Sequence, residues 1–404
     1  MLPFFWYKIM HKTFYIAIMF IVPFLVAVTH LSCKRDITKI EEGGRDYASR
    51  DESALNVRIL LLDRVKKAEL SVDGRYQILG GLSNVVDEGV KLDKANVFIE
   101  NGWINLGGKR HYNSELRIKD LGGSGIVLDS IPYRGEIRIL PQTDKEFSVI
   151  EEINIENFVV GVLGCEMPNS WEEDALRSQA VAIRTYVENR RKAKKNEPFH
   201  LDKSELAYRG MLGETAKSVK IVQDTAGIVM AYHGEIFSAY FHSTCGGHTE
   251  DVNLVFGKEK LPPLSGVKCG YCENSKYYTW SVNIEKSSIL QKLQKAKVNV
   301  SNIVSVKTVN HGPGEHGSEV EIIAAKGKEL MNANRFRLLV GPNNLYSTAF
   351  TARNNGKNIT FSGKGWGHGV GLCQYGVQGM AKKGFNWREI LGHYYPKSEL
   401  RRIY

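Results

Sequence analysis

The sequence of 404 residues has no internal repeat and no low-complexity segment. That excludes solenoids, propellers and repeat arrays. It also lacks any RNA- or DNA-binding motif, and no basic run carries interleaved aromatics. Nucleic acid is therefore not an expected partner. Between residues 57 and 150 there is no helical period, which excludes a helical bundle from the first part of the folded chain.

What is present points to a globular enzyme-sized chain. Hydrophobic residues make up 43%, enough for a real core, and 39 glycines favour turns and close backbone approaches. The formal charge is +10, from 54 Lys and Arg against 44 Asp and Glu. A basic surface suits any polyanion, but a solvated basic face is the better reading, and charge alone does not choose the partner.

The N-terminus reads as an export signal. Lys8 and Lys12 precede Thr13 to Ser32, which contains no Lys, Arg, Asp or Glu. A basic n-region followed by an apolar h-region is the pattern of a signal segment. It ends in Leu31-Ser32-Cys33, which resembles a lipoprotein signal with Cys33 as the lipidated residue. An uncleaved membrane anchor fits the same length. Either route makes 1–33 a signal or anchor and places the protein in the cell envelope or periplasm, with the membrane as an N-terminal partner. Residues 34–56 are charged and read as a tether. The folded region is expected over 57–404.

The expected fold class is α+β. Residues 57–150 read as short strands and turns, with residues 151–404 carrying the chemistry. Ile155, Phe158, Val159, Val162 and Leu163 lie on one helical face, and Gly164 and Pro168 end that helix. Ser170 to Glu173 has a capping-box pattern opening a second helix through about Lys192, with Ala175, Leu176, Ala180, Ile183 and Val187 as its core stripe. Strand character returns from Ala226 to Phe241 and from Tyr277 to Phe350. A short C-terminal helix, capped by Asn386 with Glu389, is expected to end near Tyr394. Glu166 stands on the turn between the helical pair, and turns held by rigid elements are good places for catalytic groups.

Three segments concentrate unusual residues: NFVVGVLGCEMPNSWEEDALRSQAVAIRTYVENR from Asn157, AYFHSTCGGHTED from Ala239, and GKGWGHGVGLCQYGVQGMAKKGFNWREILGHYYP from Gly363. In this order they resemble the stage II sporulation protein D family, whose members include amidase-enhancer proteins. The resemblance implies a peptidoglycan lytic transglycosylase acting on cell-wall glycan strands. Its single acid/base would be Glu166 in the Glu166-Met167-Pro168 turn. One carboxyl suffices where the sugar's own 6-hydroxyl is the nucleophile, whereas ordinary glycosidases need two. Acid work asks for a raised pKa, which apolar surroundings supply. Arg184 and Gln179 on the second helix, and Trp366, His368, Gln374 and Tyr375 in the glycine-rich loop, are the expected substrate-binding residues. A second reading from the same resemblance is a non-catalytic glycan binder that stimulates a cell-wall amidase.

A possible metal site stands beside these motifs. Cys245-x2-His248 is followed, after 20 residues, by Cys269-x2-Cys272. Two such pairs have the spacing of a structural tetrahedral zinc site. A Cys269–Cys272 disulfide competes in an exported protein, and His242 could replace one ligand. Cys165 and Cys373 each lie inside a motif assigned to the cleft. If both segments line it, the two are near neighbours, either bridged or as buried thiols. A thiol hydrolase using either with His368 is the remaining alternative.

Overall fold

Alternation of apolar and polar residues along Leu92–Glu100, whose burial swaps at each of its last six residues, is what a half-buried strand requires. Strands of this kind fill the first part of the chain. The structure is a computed structural model that describes residues 40–42, 55–81 and 83–404, all within one compact unit spanning 35–404. The expected signal or anchor segment lies outside the described residues. No helix among the described residues is long and apolar enough to cross a membrane.

Two sheets dominate residues 56–154. One has seven strands, ordered Leu201–Asp202, Asn56–Val65, Phe147–Asn154, Glu136–Pro141, Leu116–Asp120, Tyr76–Gly80 and Val85–Gly89. The other has six, ordered Ile131–Tyr133, Ile126–Leu128, Ala68–Val72, Leu92–Glu100, Trp103–Leu106 and Lys109–His111. Val57, Ile59, Leu70, Val72, Ile118 and Ile137 from these sheets share one core with the first two helices. The α+β class is as expected.

Those helices are α1 (Ile155–Glu166) and α2 (Glu173–Ala193). Asn154 caps α1, its side chain accepting from the Glu156 N–H at 2.9 Å. Helix α1 runs through Gly164 and stops at Met167, the residue before Pro168, where the α conformation is disfavoured. All five residues of the expected α2 stripe are buried. The Ser170 capping box does not form: Glu172 is the N-cap, with no side-chain capping bond. A third helix, α3 (Ala216–Asp224), is opened by a Thr215–Ser218 capping box that the sequence reading passed over.

Helix α4 (Val252–Phe256) precedes a lobe with its own core. That lobe holds two three-stranded antiparallel sheets, Thr279–Glu285/Asn358–Lys364/Phe350–Asn355 and Ile303–His311/Gly317–Ala324/Lys328–Asn332. Helices α5 (Lys286–Lys295) and α6 (Ala333–Val340) interrupt what reads as strand in the sequence. Only Ile289 and Leu293 of α5 are buried, too narrow a stripe to stand out. Near the C-terminus come α7 (Gln374–Lys382) and α8 (Trp387–Tyr394), the latter with the expected Asn386–Glu389 capping box. Residues Ile40–Glu42, within the expected tether, pair in parallel with Leu400–Arg402.

Candidate functional site

Helix α1 is almost wholly apolar, and glycines let the chain press against it. A Cβ on Gly164 would stand 1.8 Å from the Gly213 carbonyl oxygen, and one on Gly161 would stand 3.0 Å from that of Gly210. The segment from 203 to 215 therefore lies directly on the helix backbone, as only glycine permits. This strap carries Ala207, whose N–H donates to Glu166 Oε1 at 2.9 Å. Its Tyr208 ring packs on Phe158 at 4.6 Å, and its hydroxyl donates to Glu151 Oε2 at 2.7 Å. Glu151 is fully buried, and burial pushes its pKa up to about 7.

The other oxygen of Glu166 faces the glycine-rich loop. Gln374 Nε2, at the start of α7, donates to Glu166 Oε2 at 3.1 Å. Burial raises the Glu166 pKa, and the Ala207 and Gln374 donors, which favour the carboxylate, offset it only in part. Two further contacts hold the walls together. Gln378 Oε1 accepts from the Glu172 N–H at 3.0 Å, and the Trp171 ring meets Tyr375 edge-on at 5.1 Å. Glu166 and Gln374 thus come together, next to Tyr375, with Glu166 and Tyr375 partly exposed.

Other expected site residues are not hydrogen-bond partners of Glu166. Arg184 is fully buried and braces the fold instead of facing substrate. Its Nε and Nη2 donate to the two Glu156 oxygens at 2.7 and 2.6 Å, and Nη1 donates to the Ile228 carbonyl at 3.1 Å. Burial opposes charge on Glu156, yet Arg184 holds its pKa below the usual range. The Tyr404 hydroxyl also donates to Glu156. Gln179 is fully buried, with neither side-chain polar atom hydrogen-bonded within the protein. His368 is a brace as well: its Nδ1 accepts from the Val370 N–H at 3.1 Å, and its ring also bonds the Phe241 backbone. Burial drives its pKa well down, so it is neutral.

The loop itself rests on a parallel pair, Phe241–His242 against Leu372–Cys373. Gly371, at φ +71°, passes so close to Tyr240 that a Cβ would sit 2.0 Å from its carbonyl oxygen. Trp366 pairs with Thr244 through the backbone, and its Nε1 donates to the Pro342 carbonyl at 3.1 Å. Its ring lies 4.3 Å from Tyr277 and 5.9 Å from Tyr346, so it belongs to an aromatic wall shared with the separate lobe.

The same pairing corrects the expected metal ligands. Cys245, Cys269, Cys272 and Cys373 are buried, with their four sulfurs within 4.8 Å of one another. His248 is not in the group: its Nδ1 lies 2.6 Å from the Thr249 carbonyl oxygen, and Cys373 holds the fourth position. No Cys269–Cys272 disulfide forms, and His242 Nδ1 lies 3.1 Å from the Val370 carbonyl oxygen, outside the group. A Cys165–Cys373 bridge is absent too, because Cys373 sits with the other three while Cys165 lies against Gly213. The donor set fits a metal. Cys245 and Cys272 Sγ are 3.6 Å apart, close to the roughly 3.8 Å edge of a sulfur tetrahedron with about 2.3 Å bonds. Hydrogen bonding from Cys245 draws Cys269 and Cys272 toward thiolate. Buried thiolates without a cation are costly, and a divalent ion would offset that cost.

With this geometry in place, likeness to known proteins can be placed on it. Residues 143–232, which hold α1, α2 and the strap, match the family described as Stage II sporulation protein. An uncharacterized protein of Brachyspira hyodysenteriae is 32% identical over 274 residues, 67% of this chain and 73% of its own length. Stage II sporulation protein D of Bacillus subtilis is 29% identical over 268 residues, 62% of this chain and 75% of its own. The chain belongs to the stage II sporulation protein D and amidase-enhancer family. The Amidase enhancer of Bacillus subtilis matches at 28% over 363 residues, 76% of this chain but 49% of its own length. Residues 260–371 match a second family, described only as a domain of unknown function. That family covers the lobe with the separate core.

Sequence reasoning missed several partners. The Ala207 amide carries no side-chain signal. Cys373 lies 128 residues from Cys245, whose N–H donates to its sulfur at 3.3 Å. Glu156, the partner of Arg184, was visible only as one of many helix-start acids.

Proposed function

We propose that this protein cuts cell-wall glycan strands as a lytic transglycosylase, with Glu166 as its acid/base. Family membership ties the chain to the cell wall. The observation that carries the finer reading is the setting of Glu166: a partly exposed carboxyl, raised by burial and gripped by one amide N–H and Gln374. Glu166 as the acid gives its proton to the glycosidic oxygen, and the bond from the anomeric carbon to that oxygen breaks. The sugar's 6-hydroxyl oxygen then bonds to the anomeric carbon, and its proton returns to the Glu166 carboxylate. The products are a 1,6-anhydro end and a free hydroxyl end, with no water consumed. Gln374 steadies the carboxylate between the steps, and Tyr375 and Trp366 offer faces for sugar rings.

In this reading zinc is held by Cys245, Cys269, Cys272 and Cys373. It would supply a cross-link that pins the glycine-rich loop and takes no part in bond cleavage. The chain would be exported, with residues 1–33 as signal or anchor and 34–56 leading to the folded part. Digestion of denuded and intact peptidoglycan, followed by mass spectrometry, tests the activity. New 1,6-anhydro ends support it; intact strands from active-folded protein count against it. A second reading has its own support, since the relative named Amidase enhancer matches over 76% of this chain. There the same surface around Glu166 grips glycan and stimulates an amidase. Faster release of stem peptides by an added amidase, with strands uncut, would favour that reading.

A further inference from the structure

Glu151 sits wholly inside the fold beneath the strap, and the cleavage steps make no use of it. Three neutral donors reach it. The Tyr208 hydroxyl donates to Oε2 at 2.7 Å, the Gly135 N–H donates to Oε1 at 3.0 Å, and the Arg134 backbone N–H adds a third bond. Burying a carboxyl against neutral partners is costly, and an apolar side chain would fill the same place more cheaply. Packing alone therefore does not account for a glutamate here.

What Glu151 holds is the strap, one residue from Ala207. Tyr208 is buried, with its ring 4.6 Å from Phe158 and 6.1 Å from Tyr133. Upstream of Ala207 the strap is tied by Glu205, which accepts from the Tyr186 hydroxyl at 2.9 Å and from Arg190 at 3.1 Å. Downstream it is tied by Tyr208, and then by the Met211 N–H on the Pro132 carbonyl at 2.8 Å. Ala207 lies between these ties, and its N–H is the donor to Glu166 Oε1. A backbone amide cannot turn as a side chain does. Its aim is set by whatever fixes the chain on either side.

We propose that Glu151 and Tyr208 are positioning residues for Glu166: the buried carboxyl–phenol pair fixes the strap so that the Ala207 amide points at the Glu166 carboxyl. The effect on cleavage rests on the reading of Glu166 as the acid; the hold on the Ala207 amide does not. With the pair intact, the amide favours the Glu166 carboxylate and offsets part of the effect of burial. With the pair broken, the strap swings on its Glu205 tie and the amide leaves Glu166. The Glu166 pKa then rises, and the carboxyl gives its proton less readily.

The test uses the full chain in three forms: wild type, Tyr208→Phe, and Tyr208→Phe combined with Glu151→Gln. Tyr208→Phe keeps the ring on Phe158 and removes only the hydroxyl. It leaves a buried carboxyl short of one donor, so chemical denaturation should show a loss of stability. Glu151→Gln removes the charge and can still accept from the Gly135 N–H, so the double variant should recover at least half of that loss. Alignment should not recover with it. The Glu166 pKa is read by 13C NMR of the glutamate carboxyls, with Glu166→Gln assigning the resonance. In both variants it should lie above the wild-type value, by less than about one unit. In both, kcat on denuded glycan should fall about 3–10-fold with KM little changed, the loss of one hydrogen bond. A pair that only stabilises the fold would return kcat and the Glu166 pKa to wild-type values as stability returns, and that result would overturn the proposal. So would an unchanged Glu166 pKa in folded Tyr208→Phe. If the wild type yields no anhydro ends while the Glu166 pKa still rises in both variants, the reading of Glu166 as the acid fails and the positioning stands.

Discussion

The two walls of the site are built by different physics. The wall bearing Glu166 is backbone packed on backbone: Gly161 and Gly164 of α1 meet Gly210 and Gly213 of the strap, over an apolar core. The wall bearing Gln374 is held by side chains, with Cys373 and three other buried cysteines clustered at the loop's base. At the first wall, burial raises the Glu166 pKa. The second supplies a fixed donor whose position depends on the state of four sulfurs. The pKa of the Glu166 carboxyl and the placing of its Gln374 donor are therefore separable properties, and each should respond to a different perturbation.

The largest effect is expected at the sulfur-held wall. Metal binding at a four-ligand structural site is worth on the order of 10 kcal/mol. A strong chelator, or Cys373→Ser, should lower the melting temperature sharply. It should also open the loop between 365 and 375 to proteolysis before the α1–α2 pair is cut. Metal analysis should find about one zinc per chain beforehand. Equal cutting of both walls, or no change, would break the comparison.

Next in size is the brace beneath the backbone-held wall. Arg184→Ala leaves the Glu156 carboxylate unpaired in a largely buried place, at a cost of about 3–5 kcal/mol. Chemical denaturation should show that loss. Retained stability would mean that Arg184 serves substrate after all.

The smallest effect sharpens the comparison most. Gln374→Ala removes a donor that favours the Glu166 carboxylate, so the pKa of Glu166 should rise further. A general acid works protonated. The alkaline limb of the cleavage profile should therefore move to higher pH, by less than about one unit, even as alignment and rate suffer. The sign for stability agrees. A raised carboxyl contributes fully below its unfolded pKa, and that contribution is lost as pH rises through the folded pKa. A limb that moves to lower pH would show that Gln374 does not donate to Glu166.

Local signals in the sequence carried the helices that have clean caps and wide stripes. Helix α8 with its Asn386–Glu389 box and the stripe of α2 are examples. Helices α5 and α6 were hidden because each buries only a few residues against a small core. Motifs pointed to Glu166 and Gln374, whose side chains the fold brings into a hydrogen bond. The site was not legible where topology chooses the partner. Spacing suggested His248 as a ligand, while the parallel pairing of Phe241–His242 with Leu372–Cys373 brings in Cys373. Arg184 and His368 read as site residues by motif, yet both spend their polar atoms inside the fold.

The central claim is that Glu166 supplies the proton that breaks the glycan strand. Glu166→Gln keeps the size and the Ala207 contact but has no proton to give. Loss of a general acid slows such reactions by about 10²–10⁴-fold. Denuded glycan incubated with each protein, and read by mass spectrometry for 1,6-anhydro ends, decides the matter. The account predicts abundant anhydro ends from the wild type and a rate lower by that factor from folded Glu166→Gln. Anhydro ends appearing at the wild-type rate from the variant would contradict it.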